Sequence, residues 1–349
     1  MYKKIFMSIA AVAALTLVSC SSDDLNSLSD NSSKNEAISF DGYLGRSAVS
    51  VNGSRGSELT KDALQKSDKG FGVFGNYKNA DDQEFGSNWF DNVQVKYSSK
   101  DTKWTYSPLM YWLPQGHIDF LAYAPYDIKY NKQVTKDNQK LDFTVNSTIT
   151  EQKDLLWANA TNKTMTDKTV TFNFKHALSR LGYTVKLNNA YTNTTITLKK
   201  ITLAGSENGT EGAFYTGGTI DLSKTSSTNL WTISTPDAKQ KFDWFSGTQK
   251  LATTDYKNSD ANYLFVIPQK FSAPATDKLY VIVEYTIEGY NGVTTQMTNK
   301  VCKQLDKDFE QGKAYTINLT IGLTPIEFDA EVTGWDPTNG TPININTWN

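Results

Sequence analysis

The 349-residue sequence has 35 Lys and Arg against 37 Asp and Glu, with only two His and two Cys. That balance leaves no basic excess for nucleic acid, and so few His and Cys leave little for a zinc site or a histidine-based hydrolase. Eight Trp, eighteen Tyr and seventeen Phe supply ample core material instead.

The chain opens on Lys3 and Lys4, then an apolar stretch from Ile5 to Val18 broken only by Ser8 and Thr16. This is a secretory signal layout, too short for a comfortable membrane span. Leu17-Val18-Ser19-Cys20 resembles the bacterial lipobox, which implies a signal peptide over residues 1–19. It also implies a diacylglyceryl group on the Cys20 thiol and an acyl chain, palmitate-like, on the new amine. Each buried methylene adds about 0.8 kcal/mol, so several chains make a durable anchor. Residues 20–36 are polar and read as a flexible tether. Asp23-Asp24 after the lipidated cysteine resembles a surface-export signal of outer-membrane lipoproteins; a plain polar linker is the alternative. Loss of Lys3 and Lys4 with the signal leaves 33 basic against 37 acidic residues, a mature charge of −4.

Beyond the tether the apolar period is two almost everywhere. Val170, Phe172 and Phe174 alternate with polar residues, as do Leu181, Tyr183, Val185 and Leu187. Ile196 and Leu198 are followed by Ile201 and Leu203. Longer rows run through Leu279–Ile287, Tyr315–Ile321 and Ile326–Val332. Alternation of this kind marks half-buried strands. Asn188–Asn193, Gly205–Gly212 and Gly289–Gly292 are turn clusters. Helical signal is confined to Leu59–Lys66 and a short turn over Phe174–Arg180. The sequence therefore predicts an all-β protein of two tandem β-sandwiches, residues 37–179 and 180–349, with the boundary near Ser179.

Chemistry is sparse. His117 and His176 have no nucleophile elbow nearby and read as structural residues. No metal-ligand spacing occurs. Asp81-Asp82 and Asp306–Asp308 lack the loop of a calcium site. The Gly70–Gly75 run lacks the lysine and helix of a phosphate loop, and its aromatics make it a strand instead. Cys302, left alone once Cys20 is lipidated, reads as a structural strand residue. Trp89, Trp104, Trp112 and Trp231 are expected in the cores, with sugar stacking as the alternative. No enzyme activity, cofactor or metal is expected.

Several segments resemble the fimbrillins, the fimbrillin-like lipoprotein group that includes type V pilus subunits. These are Ile38-Ser39-Phe40, Gly70–Phe74, Tyr106-Ser107-Pro108 with Tyr111-Trp112, and Asp119–Pro125. Asp154-Leu155-Leu156, Phe174–Leu181, Leu264–Gln269 and Gly312–Tyr315 complete the series. The resemblance implies two transthyretin-like sandwich domains and a precursor delivered to the outer membrane as a monomer. It implies that an Arg-specific protease cuts the loop after the first strand, and that a C-terminal strand of the next subunit fills the vacated groove.

On this chain the displaced strand would centre on Ile38 and Phe40. The candidate cut sites are Arg46 and Arg55, both flanked by Gly and Ser. The donor tail would comprise Ile326, Phe328, Ala330 and Val332, with Ile343 and Ile345 beyond; the alternative is that the tail completes its own sheet. The expected partners are other pilus subunits, the outer membrane through the lipid, and surface glycans or proteins at the adhesive end. The competing function is a monomeric surface glycan-binding lipoprotein; a glycoside hydrolase with two facing carboxylates is a distant third.

Overall fold

The computed structural model describes residues 36–44, 59–79, 90–233, 235–292, 295–323 and 327–334. Cys20, the tether up to residue 35, Arg46, Arg55, Trp89, Ile326, Ile343 and Ile345 lie outside the described residues.

In the first half the strands are β1 (Ser39–Leu44), β2 (Phe71–Lys78), β3 (Phe90–Ser98), β4 (Lys103–Thr105), β5 (His117–Ala124), β6 (Lys140–Thr144), β7 (Leu156–Lys163) and β8 (Thr169–His176). One short helix, α1 (Lys61–Lys66), precedes β2. The second half holds β9 (Ser179–Leu187), β10 (Thr195–Ala204), β11 (Phe214–Tyr215), β12 (Gly217–Asp221), β13 (Trp231–Thr232), β14 (Lys239–Gln240) and β15 (Phe242–Lys250). It continues with β16 (Tyr256–Lys257), β17 (Leu264–Val266), β18 (Tyr280–Glu288), β19 (Met297–Gln304), β20 (Lys313–Ile321) and β21 (Glu327–Gly334). The fold is all-β, as the alternation predicts.

A seven-stranded sheet takes the order β1-β8-β7-β5-β2-β3-β4. Its central strands β2 and β5 are buried on both faces, whereas β1 and β8 alternate buried and exposed residues. Val73, Phe120, Ala122 and Leu156 face a cluster drawn wholly from the first half. Their neighbours Phe74, Leu121, Tyr123 and Trp157 face a second cluster that also takes in β9, β10, β18 and β20. The sheet curls around the first cluster, so its two end strands approach: Gly42 of β1 lies beside Trp104 of β4.

The second half builds a four-stranded sheet, β15-β10-β18-β19, and a sheet with the path β16-β9-β20-β21. β9 and β20 run parallel. The shift in apolar phase between Leu198 and Ile201 is one strand with a bulge, since the ladder to β18 slips between Leu198 and Lys200. Phe174–Arg180 is tighter than a helical turn: β8 runs to His176, β9 starts at Ser179, and only Ala177-Leu178 lie between. The expected boundary falls in this turn. The β6–β12 ladder, Lys140–Thr144 with Gly217–Asp221, crosses it.

Candidate functional site

The first strand is short and alternates cleanly. Ile38, Phe40, Gly42 and Leu44 face inward, and Ser39, Asp41 and Tyr43 sit between them. Ile38 is 1 % exposed and Phe40 4 %. The strand ends its sheet and has one ladder, parallel to β8, with Phe40 opposite Val170, Gly42 opposite Phe172 and Leu44 opposite Phe174. The Phe40 ring lies 5.6 Å from Phe90, 5.5 Å from Phe120, 5.7 Å from Phe172 and 5.3 Å from Tyr106, centroid to centroid. Such edge-on and offset contacts add about 0.5–1.5 kcal/mol each beyond simple burial.

A loop from Tyr106 to Leu113 straps the entry to β1. The Ile38 amide donates to the Met110 carbonyl at 2.8 Å, and the Trp112 amide to the Glu36 carbonyl at 3.1 Å. The Tyr106 hydroxyl donates to the Ile38 carbonyl at 2.7 Å. Burial, offset only in part by the Met110 backbone contact, raises the pKa of that phenol, so it remains a donor at neutral pH. The rim is not perfectly satisfied: the indole Nε1 groups of Trp104 and Trp112 are buried with no hydrogen-bond partner.

The chain from Leu59 onward, after both arginines, is pinned separately. The Leu59 amide donates to Asp154 Oδ2 at 2.8 Å. Thr60 caps α1 by accepting from the Ala63 amide, and Leu64 enters the same aromatic core as β1. Asp154 is fully buried, and its carboxylate also meets His176 Nδ1 at 2.9 Å. The His176 carbonyl in turn accepts from Gln311 Nε2 at 2.6 Å. His176 is thus structural, as the sequence suggests. Its pairing with Asp154 was invisible there, although both stand in segments that carry the family resemblance.

At the other end, β21 pairs antiparallel with β20, Phe328 opposite Leu319 and Ala330 opposite Ile317. Ala330 is buried, and Val332 packs half-buried on the second core. The described part of the candidate donor therefore completes its own sheet in the single chain, as that sheet's edge strand.

One further depression is an open cleft of about 940 Å³ lined by Tyr215, Trp231, Asp277 and Asp308 among others. Several of its polar groups are already engaged. Asp277 accepts from Tyr215, Lys239 and Gln269, while the Trp231 indole donates to the Ala177 carbonyl. Burial alone would raise the Asp277 carboxyl, but the hydrogen bonds from Lys239 and Gln269 and the Lys239 charge hold it below the usual range. For the half-buried Asp308, too, partial burial opposes ionisation but is outweighed, and hydrogen bonds from Ser272 and Phe271 hold it low. Neither is set up as the protonated acid that glycoside hydrolysis requires. Trp104 and Trp112 are core residues; Trp231 is half-buried, its polar end tied to the turn between β8 and β9. Cys302 is half-buried on β19, and burial followed by the Glu207 charge raises its thiol pKa, which suits an inert residue. No group of three or more His, Cys, Asp or Glu able to hold a metal occurs among the described residues.

The fold is similar to that of a fimbrial protein from Bacteroides vulgatus, with a TM-score of 0.61 at 22% identity over 86% of this chain and 100% of that one. A candidate cell adhesion protein from Bacteroides uniformis matches with a TM-score of 0.45 at 19% identity over 76% of this chain and 91% of that one. Curated proteins yield no match. A sequence profile described as fimbrillin-like matches residues 59–335, the greater part of the sequence. It spans α1, the Asp154–His176 pair and every described strand after the first, and the chain accordingly belongs to the fimbrillin-like family.

Proposed function

We propose that this protein is a structural subunit of a cell-surface pilus. It is exported as a lipoprotein anchored in the outer membrane through Cys20 and polymerised by strand exchange once its first strand is cut away, with adhesion as the outcome. Residues 37–179 and 180–349 act as tandem sandwich domains in this reading. Membership of an adhesion and structural family, and not an enzyme family, supports it.

The seat of β1 carries the proposal. The strand fills an aromatic groove yet has a single ladder, while Leu59 and α1 on the far side of the arginine loop have anchors of their own. A cut at Arg46 or Arg55 leaves β1 joined only to the lipid-bearing segment. Its departure bares the β8 edge and the rings around Phe40, and an incoming strand satisfies both. Repeated head to tail, that contact builds a filament and not a closed ring. The partners are other pilus subunits, the outer membrane, and surface glycans or proteins at the adhesive end.

The test is treatment of the full mature chain with an Arg-specific protease. Loss of the segment before Arg46 or Arg55 should be followed by filaments in electron micrographs, and the combined Arg46→Ala and Arg55→Ala variant should stay monomeric. A chain that loses β1 completely and remains a monomer would overturn the proposal. Cys20→Ala should abolish acyl labelling and move the protein out of the membrane fraction.

A further inference from the structure

The open cleft beside Trp231 is walled by stretches of chain that are each tied down. Gln269 and Phe309 exchange backbone hydrogen bonds at 3.0 and 2.9 Å, the Glu310 amide donates to the Tyr315 hydroxyl at 2.8 Å, and the Gly312 amide to the Leu178 carbonyl at 2.9 Å. The Gln269 side chain, in a residue only 5 % exposed, donates to Asp277 Oδ2 at 2.8 Å and to the Ala213 carbonyl at 2.9 Å. A site held in place before its ligand arrives loses little freedom on binding.

Its rings are fixed as well. The half-buried Trp231 donates its indole N–H to the Ala177 carbonyl at 2.8 Å, and its ring meets Phe143 edge-on at 6.0 Å. Tyr215 gives its hydroxyl to Asp277 and carries Lys239 over its ring, 5.4 Å from the centroid. The face of an aromatic ring is partly negative, so it packs well on the C–H side of a sugar ring.

The charges exclude other ligands. Asp277 is consumed by Lys239, which pairs with it at 2.5 Å. That leaves Asp308 and Glu310 against Lys270 and Lys313, two of each sign. A balanced cleft favours neither an anion nor a cation. An extended peptide is disfavoured too. It binds by pairing with a row of free backbone groups, and the amides of Gln269, Phe271, Phe309, Glu310 and Gly312 are all taken. What remains is side chains. Asp308 accepts through Oδ1 alone, from the Phe271 and Ser272 amides and the Ser272 hydroxyl, and Oδ2 has no hydrogen bond among the described residues. The side chains of Asn229, Lys270, Thr276 and Lys313 line the cleft and make no hydrogen bond or ion pair among the described residues either. Donors and acceptors interspersed around two rings suit a ligand rich in hydroxyls, each of which can give and take a hydrogen bond.

We propose that this cleft binds a neutral oligosaccharide, with one sugar ring packed on Trp231 and its hydroxyls shared among Asp308, Asn229 and Lys313. The inference rests on the adhesive part of the proposed function, to which it gives a site and a ligand class, and it does not need strand exchange. The sugar is held and not cut, since the low-titrating Asp277 and Asp308 supply no protonated acid.

The test uses the full mature chain, uncut, and a panel of neutral hexasaccharides from α- and β-linked glucans, a mannan and a xylan, with an oligogalacturonate as the charged comparison. Calorimetric titration should give a Kd of about 1 mM or tighter for at least one neutral member. Trp231→Ala should weaken that binding at least about tenfold, and Trp231→Phe, which keeps a ring, should weaken it less. Thr276→Arg, at an exposed cleft position, should weaken it at least about tenfold with an unchanged thermal midpoint, which separates a blocked cleft from a damaged fold. The inference is overturned if no neutral member binds, if the oligogalacturonate alone binds, or if binding survives both Trp231→Ala and Thr276→Arg. Filament formation by the cut chain in any of those cases leaves the pilus reading standing. A chain that binds the sugar through this cleft, yet stays monomeric after losing β1, rejects the pilus reading and keeps the cleft.

Discussion

β1 and β18 are both apolar strands with buried inward faces, yet they are held differently. β18 sits between β10 and β19, with ladders on both sides from Tyr280 to Ile287. β1 has one ladder, to β8, and a few hydrogen bonds to the Tyr106–Leu113 loop near its start. Much of what retains β1 is side-chain burial: Ile38, Phe40 and Leu44 inside a ring of phenylalanines. A strand held by one ladder and its side chains can leave without breaking any other pairing. A central strand cannot.

The largest expected effect lies on the β18 side of this contrast. Val283 is fully buried and stands between Ile201 and Val301. Val283→Asp buries a carboxylate with no partner and should lower global stability by more than about 4 kcal/mol, seen as loss of the cooperative urea transition. Phe40→Ala removes a comparably buried side chain from β1, and core substitutions of this kind cost about 3–5 kcal/mol. Here the global penalty should be smaller than the local one, because the damage is capped at the free energy that docks β1. Hydrogen exchange at residues 39–44 should accelerate sharply while β18 amides keep their protection. Equal acceleration in both strands would erase the distinction between them.

This asymmetry was only partly legible in the sequence. Alternation located β8, β9, β18 and β20, because side chains on strands have a period of two, but it took the fold to join the rows Ile196–Leu198 and Ile201–Leu203 into one strand with a bulge. The Gly70–Gly75 run was correctly a strand, since Phe71 and Phe74 had no phosphate-loop lysine beside them. Pairing partners were not legible. The parallel ladders β1–β8 and β9–β20 join residues more than a hundred positions apart, and no local pattern encodes which edge meets which. The same limit hid the Tyr106 hydroxyl on Ile38 and the Leu59 amide on Asp154. Alternation in Ile326–Val332 signalled a strand but not its partner, which in the single chain is β20. Both Ile38 and Phe40 were identified as strand residues; that Phe40 sits among four aromatic rings required the fold.

A middle-sized effect separates β1 from the segment that begins at Leu59. Asp154→Ala deprives the Leu59 amide and His176 of their shared acceptor, and each stranded buried group costs about 1–3 kcal/mol. The change should loosen residues 59–66 and the turn after β8. The β1–β8 ladder, which Asp154 does not touch, should stay protected. Limited proteolysis reads the result: new cuts should appear after Lys61 or Lys66, but not within residues 38–44. Cuts appearing first in β1 would mean that the two sides of the loop are one unit, and that a cut there could not release β1 alone.

The smallest effect concerns electrostatics remote from β1, and it tests whether the seat of β1 is governed by packing alone. Burial opposes ionisation of Asp277, but hydrogen bonds from Lys239 and Gln269 and the Lys239 charge outweigh it, so the folded carboxyl titrates below its usual value. A depressed folded pKa means that the contribution is complete above the unfolded value near 4 and disappears as pH falls through the folded one. Lys239→Ala should therefore cost about 1 kcal/mol at neutral pH and progressively less under acid conditions. The groups that face Phe40 are rings, and none of them except the high-titrating Tyr106 carries a proton to lose. The penalty of Phe40→Ala should thus stay flat over the acid range in which the penalty of Lys239→Ala shrinks. Unfolding midpoints of both variants against the parent, measured between pH 3 and pH 7, separate the two. A Phe40→Ala penalty that followed the Lys239→Ala curve would show that charge, and not the fit of rings around one strand, sets how firmly β1 is held.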